Sequence, residues 1–387
     1  MFKERRLELI ESIEKKRNSY VIAYVLSDRP NATASISSDA VREIYNLLCG
    51  LKPFEKKKTL DLFIYGIGGD NDVPWQIVAM IREMFNQFSV IIPYKAHGAV
   101  TMIALGADTI IMGEKSELSP IDVAITTPHN SSEPGMTDGL PVSVEDIKAL
   151  VALLERFGKV REKQRIDAFL RTIDKVPPLL LGNVNRTLEQ TKMTCMRLLE
   201  RRRRPFRNGV NKRIVANLFS EFSSHDHCIS MSEAVKEIGL KHVKRVEELE
   251  PIFWELLTLY EGELRTNEPF YPEEIMEQSD EEERIFRDHK LVYVETTRRT
   301  RVFQRDVKMK KLRQHPPEIQ FNPQIILPSF QIAPELQVSE HSVFDFLQEW
   351  LQSNLPGIVN ECFNKFRKEF PVTAYERLYL KQGWVDE

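Results

Sequence analysis

The sequence predicts an α/β protein with a mainly parallel sheet and flanking helices. Apolar, β-rich runs at 20–27, 59–66, 89–94 and 108–113 alternate with helical patterns at 37–50, 74–88 and 99–107. Such alternation with short links is the signature of a parallel sheet. Two of the runs end in glycine-bearing turns, Gly66–Gly69 and Gly98, at the carboxyl ends of strands, where the crevice of such a sheet lies. The apolar share of 42% and charged share of 29% suit a folded domain with a buried core.

Each element has a local reason. The charged start, 3–18, sets Leu7, Ile10 and Ile13 on one side of a helix. "YVIAYVLS" reads as a strand, and "SSDAVREIYNLLCG" as a helix with Ser38 or Asp39 as its cap and Gly50 placed to stop it. "TLDLFIYG" is a second strand. "PWQIVAMIREMFNQF" has proline in its first turn, with Asp70 and Asp72 before it, where a helix N-terminus favours acids. "SVIIPY", the buried helix "AVTMIALGA" and the strand "DTIIMG" follow.

Residues 126–142 have loop composition, and 143–222 read as helical, interrupted near Pro177, Pro178 and Gly182. "SMSEAVKEIGL" looks like a capped helix ending at Gly239. After it come an acidic linker or arm at 261–289, a β-rich piece at 290–313, a proline-rich stretch at 316–334 and an amphipathic helix at 342–369. That helix carries Phe344, Phe346, Leu347, Trp350, Leu351 and Leu355 on overlapping faces, the pattern of a docking or subunit-contact element.

Several function classes are disfavoured. A net charge of −3 from 54 basic and 57 acidic residues gives no global polyanion-binding surface. The run "ERRRRPFR" follows a helix, whose C-terminal end favours solvated cations, so nucleic acid is not the expected partner. Cys49, Cys195, Cys228 and Cys362 are far apart and match no metal-ligand spacing; they read as reduced thiols of a cytoplasmic chain. No metal and no cofactor is expected. The N-terminus has charges where a signal peptide needs an apolar stretch, and the most apolar region, 90–112, is broken by Lys95, His97 and Asp108. No membrane anchor is expected.

The segments "LFIYGIGGD", "PYKAHGAVTMIALGADTIIM", "ELSPIDVAI" and "SSHDHCISMSEAVKEIGL" together resemble the serine dehydrogenase proteinase branch of the Clp/crotonase superfold, relatives of Clp proteolytic subunits and signal peptide peptidases. The resemblance covers about 20–260 and lacks one residue. Alignment of the family pattern A-x-S-A-x-T with "AHGAVT" puts Gly98 where the nucleophilic serine stands. It further implies oxyanion donors at the N–H groups of Gly69 and Ala99, with Gly68 and Gly69 allowing close backbone approach. Asp122 falls where a Clp subunit has its base histidine, and Asp226 where it has its acid. His225 beside Asp226 raises a swapped arrangement, His225 as base and Asp122 as orienter; Asp122 equally suits a turn cap, and His225 and His227 suit surface-loop positions.

Without a hydroxyl at 98 there is no acyl-enzyme by the serine route. Thr101 is nearly a turn further along the helix, where its hydroxyl is expected to bond a carbonyl within the helix. His97 could act as base or nucleophile but has no evident partner in the sequence. A crotonase-like role, two N–H groups holding an enolate without a covalent step, is chemically allowed. The sequence therefore reads as a serine-peptidase homologue at 1–260 with a vacant nucleophile position, a linker at 261–289 and an appendage at 290–387. A peptide or protein ligand and a homo-oligomer are implied by the resemblance; an active hydrolase using Thr101 or His97 is the alternative.

Overall fold

The computed structural model describes residues 2–51, 59–121, 124–125, 142–143, 178–220 and 227–314. It also describes 345–387 except 347–348, 351–352, 356, 358–360, 362–364 and 367. The expected loop at 126–142, the first part of the helical region at 143–222, and the proline-rich stretch fall wholly or largely outside these residues.

The first elements in order are α1 (Phe2–Arg17), β1 (Tyr20–Leu26), α2 (Asp39–Gly50), β2 (Thr59–Tyr65), α3 (Val73–Met84), β3 (Gln87–Ile92), α4 (Ala99–Leu105) and β4 (Thr109–Met112). The strands β1 to β4 pair in parallel, with Tyr20 against Leu60, Leu60 against Phe88 and Ser89 against Thr109. Three local expectations change. Ser38 is helical and makes no side-chain cap, and the carboxylate of Asp39 instead accepts the indole N–H of Trp384 at 2.7 Å. Gly50 is the last helical residue and Leu51 after it stays right-handed, so glycine does not stop α2. Helix α3 ends at Met84 rather than 88, because Gln87 and Phe88 already pair with Thr59 and Leu60.

Further along are α5 (Pro178–Glu200), α6 (Asn208–Ser220), β5 (Val243–Lys244), α7 (Glu250–Leu264), α8 (Pro272–Glu277), β6 (Glu283–Glu295), β7 (Thr300–Arg313) and β8 (Val372–Asp386). Ser230 and Glu233 form a reciprocal capping box, and the turns that follow end at Gly239 with φ +92°, as its sequence suggested. The sheet order is β5-β4-β3-β2-β1-β6-β7-β8, and β6 runs antiparallel to β1 with Ala23 against Glu295. Strand β8 has no counterpart in the sequence reading.

The period of two along each strand divides the core between the sheet's faces. Val21, Ala23, Val25, Phe63 and Tyr65 pack with α1 and α7, while Ile22, Tyr24, Leu26, Leu62 and Ile64 pack with α2 to α6. Both faces are covered, so β1 and β2 are almost continuously buried.

The chain forms two compact units, one of residues 1–270, 288–305 and 382–387, the other of 271–287 and 306–381. These limits differ from the sequence boundaries at 260 and 289. Residues 261–289 hold the end of α7, all of α8 and the first part of β6, and the pairing of β6 with β1 buries Leu291, Tyr293 and Val294. The second unit has its own small core of Met276, Val307 and Met309. Described residues of the amphipathic segment are helical up to Phe366, with Phe346 and Trp350 exposed.

The basic run is not wholly solvated. Pro178 opens α5 and Gly182 lies within it; α5 and α6 are separated at 201–207. Arg202 is buried, donates from Nε to the carbonyl of Ala107 at 2.8 Å, and stacks on Phe206 at 4.3 Å. The carbonyls it takes, those of Ala107 and Asp108, lie in the link between α4 and β4, where a buried polar group needs a partner. Next to it, burial and the Arg202 charge hold the His242 imidazole down to about 3 from its ordinary 6.5. The unfolded chain therefore binds more protons than the folded one between those values, and stability falls as pH drops through that window. In urea unfolding, the wild type is expected to lose up to about 1.4 kcal/mol per pH unit more than His242→Phe below pH ~6. Equal slopes for the two proteins would refute this assignment.

Candidate functional site

The carboxyl ends of β2 and β3 bring the two glycine turns together. Gly66 donates its N–H to Lys95 O at 3.1 Å, and His97 donates to Gly66 O at 3.0 Å. Beyond this bridge, Gly68, Gly69 and Gly98 all have positive φ, at +118°, +144° and +52°. A Cβ on Gly98 would lie 3.4 Å from Gly68 Cα, and one on Gly68 would lie 3.9 Å from Ala99 N. The turns expected to act together are thus in contact.

Each glycine has a separate reason. Gly69 runs against Ile36, which donates to Gly68 O at 2.8 Å and accepts from Asp70 N–H at 2.9 Å. A Cβ at 69 would sit 2.3 Å from Ile36 N, a distance no side chain tolerates. The bridge uses the Gly68 carbonyl and the Asp70 N–H, not the N–H of Gly69. Gly98 is the N-cap of α4, with φ +52° and ψ −116°. Strand, sharp turn and helix in this order, with a strained residue at the turn, is the backbone of a nucleophile elbow. Ala99 opens α4, so its N–H has no acceptor within the helix.

Beneath the elbow lie two hydroxyls. Thr101 is fully buried and its Oγ1 donates at 2.6 Å to Ala96 O, which lies in the short strand before α4 and not within the helix as expected. Ser119, which the sequence reading passed over, accepts the Gly98 N–H at 2.8 Å and donates to Pro120 O at 2.8 Å. Both are held within the backbone framework of the turn.

His97 does have a partner. Its Nε2 lies 2.9 Å from Glu117 Oε1, with both side chains mostly buried. The pairing arises in a small sheet in which Lys95–Ala96 runs parallel to Glu117–Leu118, and Glu117–Leu118 antiparallel to Ile229–Ser230. Glu117 is twenty residues from His97 in sequence, so only this register reveals it. The same arrangement brings the segment just after His227 to the site, and His227 itself pairs with Glu233 at 3.1 Å. Asp122, His225 and Asp226 lie outside the described residues.

A second polar group flanks the turns. Asp28 accepts from Lys95 at 2.9 Å and from the Tyr65 hydroxyl at 2.6 Å. Burial opposes the Lys95 charge most, but its hydrogen bond and attraction to Asp28, with Tyr94 and Glu117, together outweigh this and the ammonium is held above its ordinary value. Burial, then repulsion from Asp28, pushes the Glu261 carboxyl up. Among the described residues no cluster of three or more His, Cys, Asp or Glu could hold a metal ion.

Residues 1–133 match the family of ClpP-like SDH-type serine proteinases. The match takes in both glycine turns, Thr101, Glu117 and Ser119, and it agrees with the Clp/crotonase-like class expected from the sequence. An uncharacterized protein of Methanocaldococcus jannaschii is 30% identical over 120 residues, which are 30% of this chain and 42% of that protein. The chain thus spans about two fifths of the length of the curated relatives it matches. Among solved structures, a mutant of the 1510-N membrane-bound stomatin-specific protease is similar at 15% identity, covering 62% of this chain and 84% of that one, with a TM-score of 0.35. A probable enoyl-CoA hydratase/isomerase from Mycobacterium abscessus is similar at 13% identity over 26% of this chain and 46% of that one, with a TM-score of 0.22. No helix among the described residues is long and apolar enough to cross a membrane.

Proposed function

We propose that this chain is a Clp-fold peptidase homologue that keeps a peptide- or acyl-binding groove at the Gly68–Gly69 and Gly98–Ala99 turns and forms no acyl-enzyme. The observation that carries this reading is Gly98: the residue at the elbow has the strained backbone of a nucleophile position and no side chain. Thr101 does not replace it, since its hydroxyl is buried and committed to Ala96 O. The N–H groups of Gly69 and Ala99 are the oxyanion donors of the groove, and a carbonyl held by two such donors is bound without being cleaved. The protein then acts through binding or assembly, as a homo-oligomer.

Gly98→Ser tests this. The new Cβ meets only Gly68 Cα, at 3.4 Å, so the variant is expected to fold, at a cost of about 1–3 kcal/mol for a side chain at positive φ. It is expected to be labelled by a fluorophosphonate probe and to hydrolyse activated esters, where the wild type does neither. Labelling of the wild type, lost in Thr101→Val or His97→Asn, would overturn the proposal. Repeating Gly98→Ser in His97→Asn and in His225→Ala backgrounds identifies which histidine serves the restored hydroxyl.

One observation favours a second reading. His97 with Glu117 at 2.9 Å is a base already oriented by a carboxylate, which suits acyl chemistry without a covalent step. On that reading the wild type turns over an acyl-CoA thioester, and His97→Asn and Glu117→Gln both abolish the turnover. Calorimetry showing no acyl-CoA binding sinks it.

A further inference from the structure

The first compact unit contains a cavity of about 630 Å³, distinct from the glycine turns and bordered by β1, the 33–37 segment, the start of α2, and β6 to β8. That volume is in the range of small-molecule sites. Its lining is of mixed chemistry. Phe303 and Trp384, packed edge to face at 5.5 Å, form an aromatic wall. Arg305 supplies a cation, Asp39 an anion, and Ser35 and Ser37 add polar groups. Asp39 is oriented by the Trp384 indole N–H at 2.7 Å, which leaves its other oxygen for a second donor.

One cation, one anion and an aromatic wall around one cavity match a small ligand that carries both charges and an apolar side chain. We infer that this cavity binds a short zwitterionic peptide. Its carboxylate faces Arg305, its ammonium faces Asp39 and its side chain lies against Phe303 and Trp384. The site is coupled to the glycine turns. Ser35 and Ser37 on the cavity wall flank Ile36, and Ile36 holds the Gly68–Asp70 turn through two backbone hydrogen bonds, at 2.8 and 2.9 Å. A ligand that fixes the 33–37 segment fixes that turn. The inference does not depend on whether the turns bind peptide or catalyse anything.

The test is calorimetric titration of the full chain with the dipeptide Ala-Phe and with its N-acetylated, C-amidated form. Saturable binding is expected for the free dipeptide, at least tenfold weaker for the blocked one. Arg305→Gln and Asp39→Asn should each weaken the free dipeptide about tenfold, and Arg305→Lys should restore most of the loss from Arg305→Gln. Thermal unfolding of each variant shows whether it is folded. Amide exchange supplies an independent readout: saturating dipeptide should slow exchange at Ile36 and Asp70 several-fold in the wild type. The proposal is overturned by the absence of saturable binding at millimolar dipeptide, or by equal binding of free and blocked forms. It is likewise overturned if folded Arg305→Gln and Asp39→Asn bind as the wild type does, or if Ile36 and Asp70 exchange unchanged at saturation.

Discussion

Gly69→Ala is expected to destabilise the protein by about 4 kcal/mol or more, in the range that marks a named structural fault rather than ordinary surface change. The added Cβ would meet Ile36 N, O and Cα at 2.3, 2.4 and 2.8 Å. These are backbone atoms in a paired segment, so no side-chain rotamer relieves the clash. Relief requires breaking the bonds from Ile36 to Gly68 and from Asp70 to Ile36, which removes the wall beside the turn. Gly68→Ala is the internal control. Its φ of +118° is equally unfavourable to a side chain, but the nearest atom to its Cβ lies 3.7 Å away, so only backbone strain of about 1–3 kcal/mol is expected. Chemical denaturation of the two variants should separate them clearly. Similar losses for both would mean that the Ile36 contact does not constrain Gly69.

Arg6→Ala is expected to cost about 3–5 kcal/mol, the usual result of removing one partner from a buried ion pair. Arg6 is fully buried on α1, and its Nε and Nη2 donate to the fully buried Glu295 at 2.9 and 3.2 Å, with Nη2 also reaching Glu387 at 2.7 Å. Tyr260 and Thr300 donate to the same Glu295 carboxylate at 2.5 and 2.6 Å. The guanidinium also lies over the rings of Tyr260 and Tyr293, at 5.2 and 4.8 Å. Truncation leaves Glu295 charged in a site built for a cation, and it empties the space between two aromatic rings. A double variant, Arg6→Met with Glu295→Met, removes both charges and keeps apolar volume, and it should recover most of the loss. If that variant is as unstable as Arg6→Ala, the cost lies in packing or in the Tyr260 and Thr300 hydroxyls left without their acceptor, and not in an unpaired charge.

Most of the parallel sheet was legible because its strands are buried on both faces. Runs such as "YVIAYVL" and "TLDLFIY" have no solvent face to interrupt them, and the second is followed directly by the turn Gly66–Gly69. Strand β8 was not legible. Most of its residues are exposed or half-buried, so "VTAYERLYLKQGWVD" carries no clear period of two. Helix α3 was overextended for the converse reason: Gln87 and Phe88 fit the helical pattern, but pairing with β2 claims them.

The sequence by itself determined that position 98, between a strand and a helix, is a glycine and that a second strand end carries Gly68 and Gly69, since both are matters of residue type at fixed positions along two strand ends. Only the tertiary structure decided what surrounds them. Glu117 beside His97, Ser119 under Gly98 and Ile36 against Gly69 meet across gaps of 20, 21 and 33 residues. Such contacts depend on strand register and on the path of loops, and a pattern of period two or 3.6 records which face a residue takes without recording what stands opposite it.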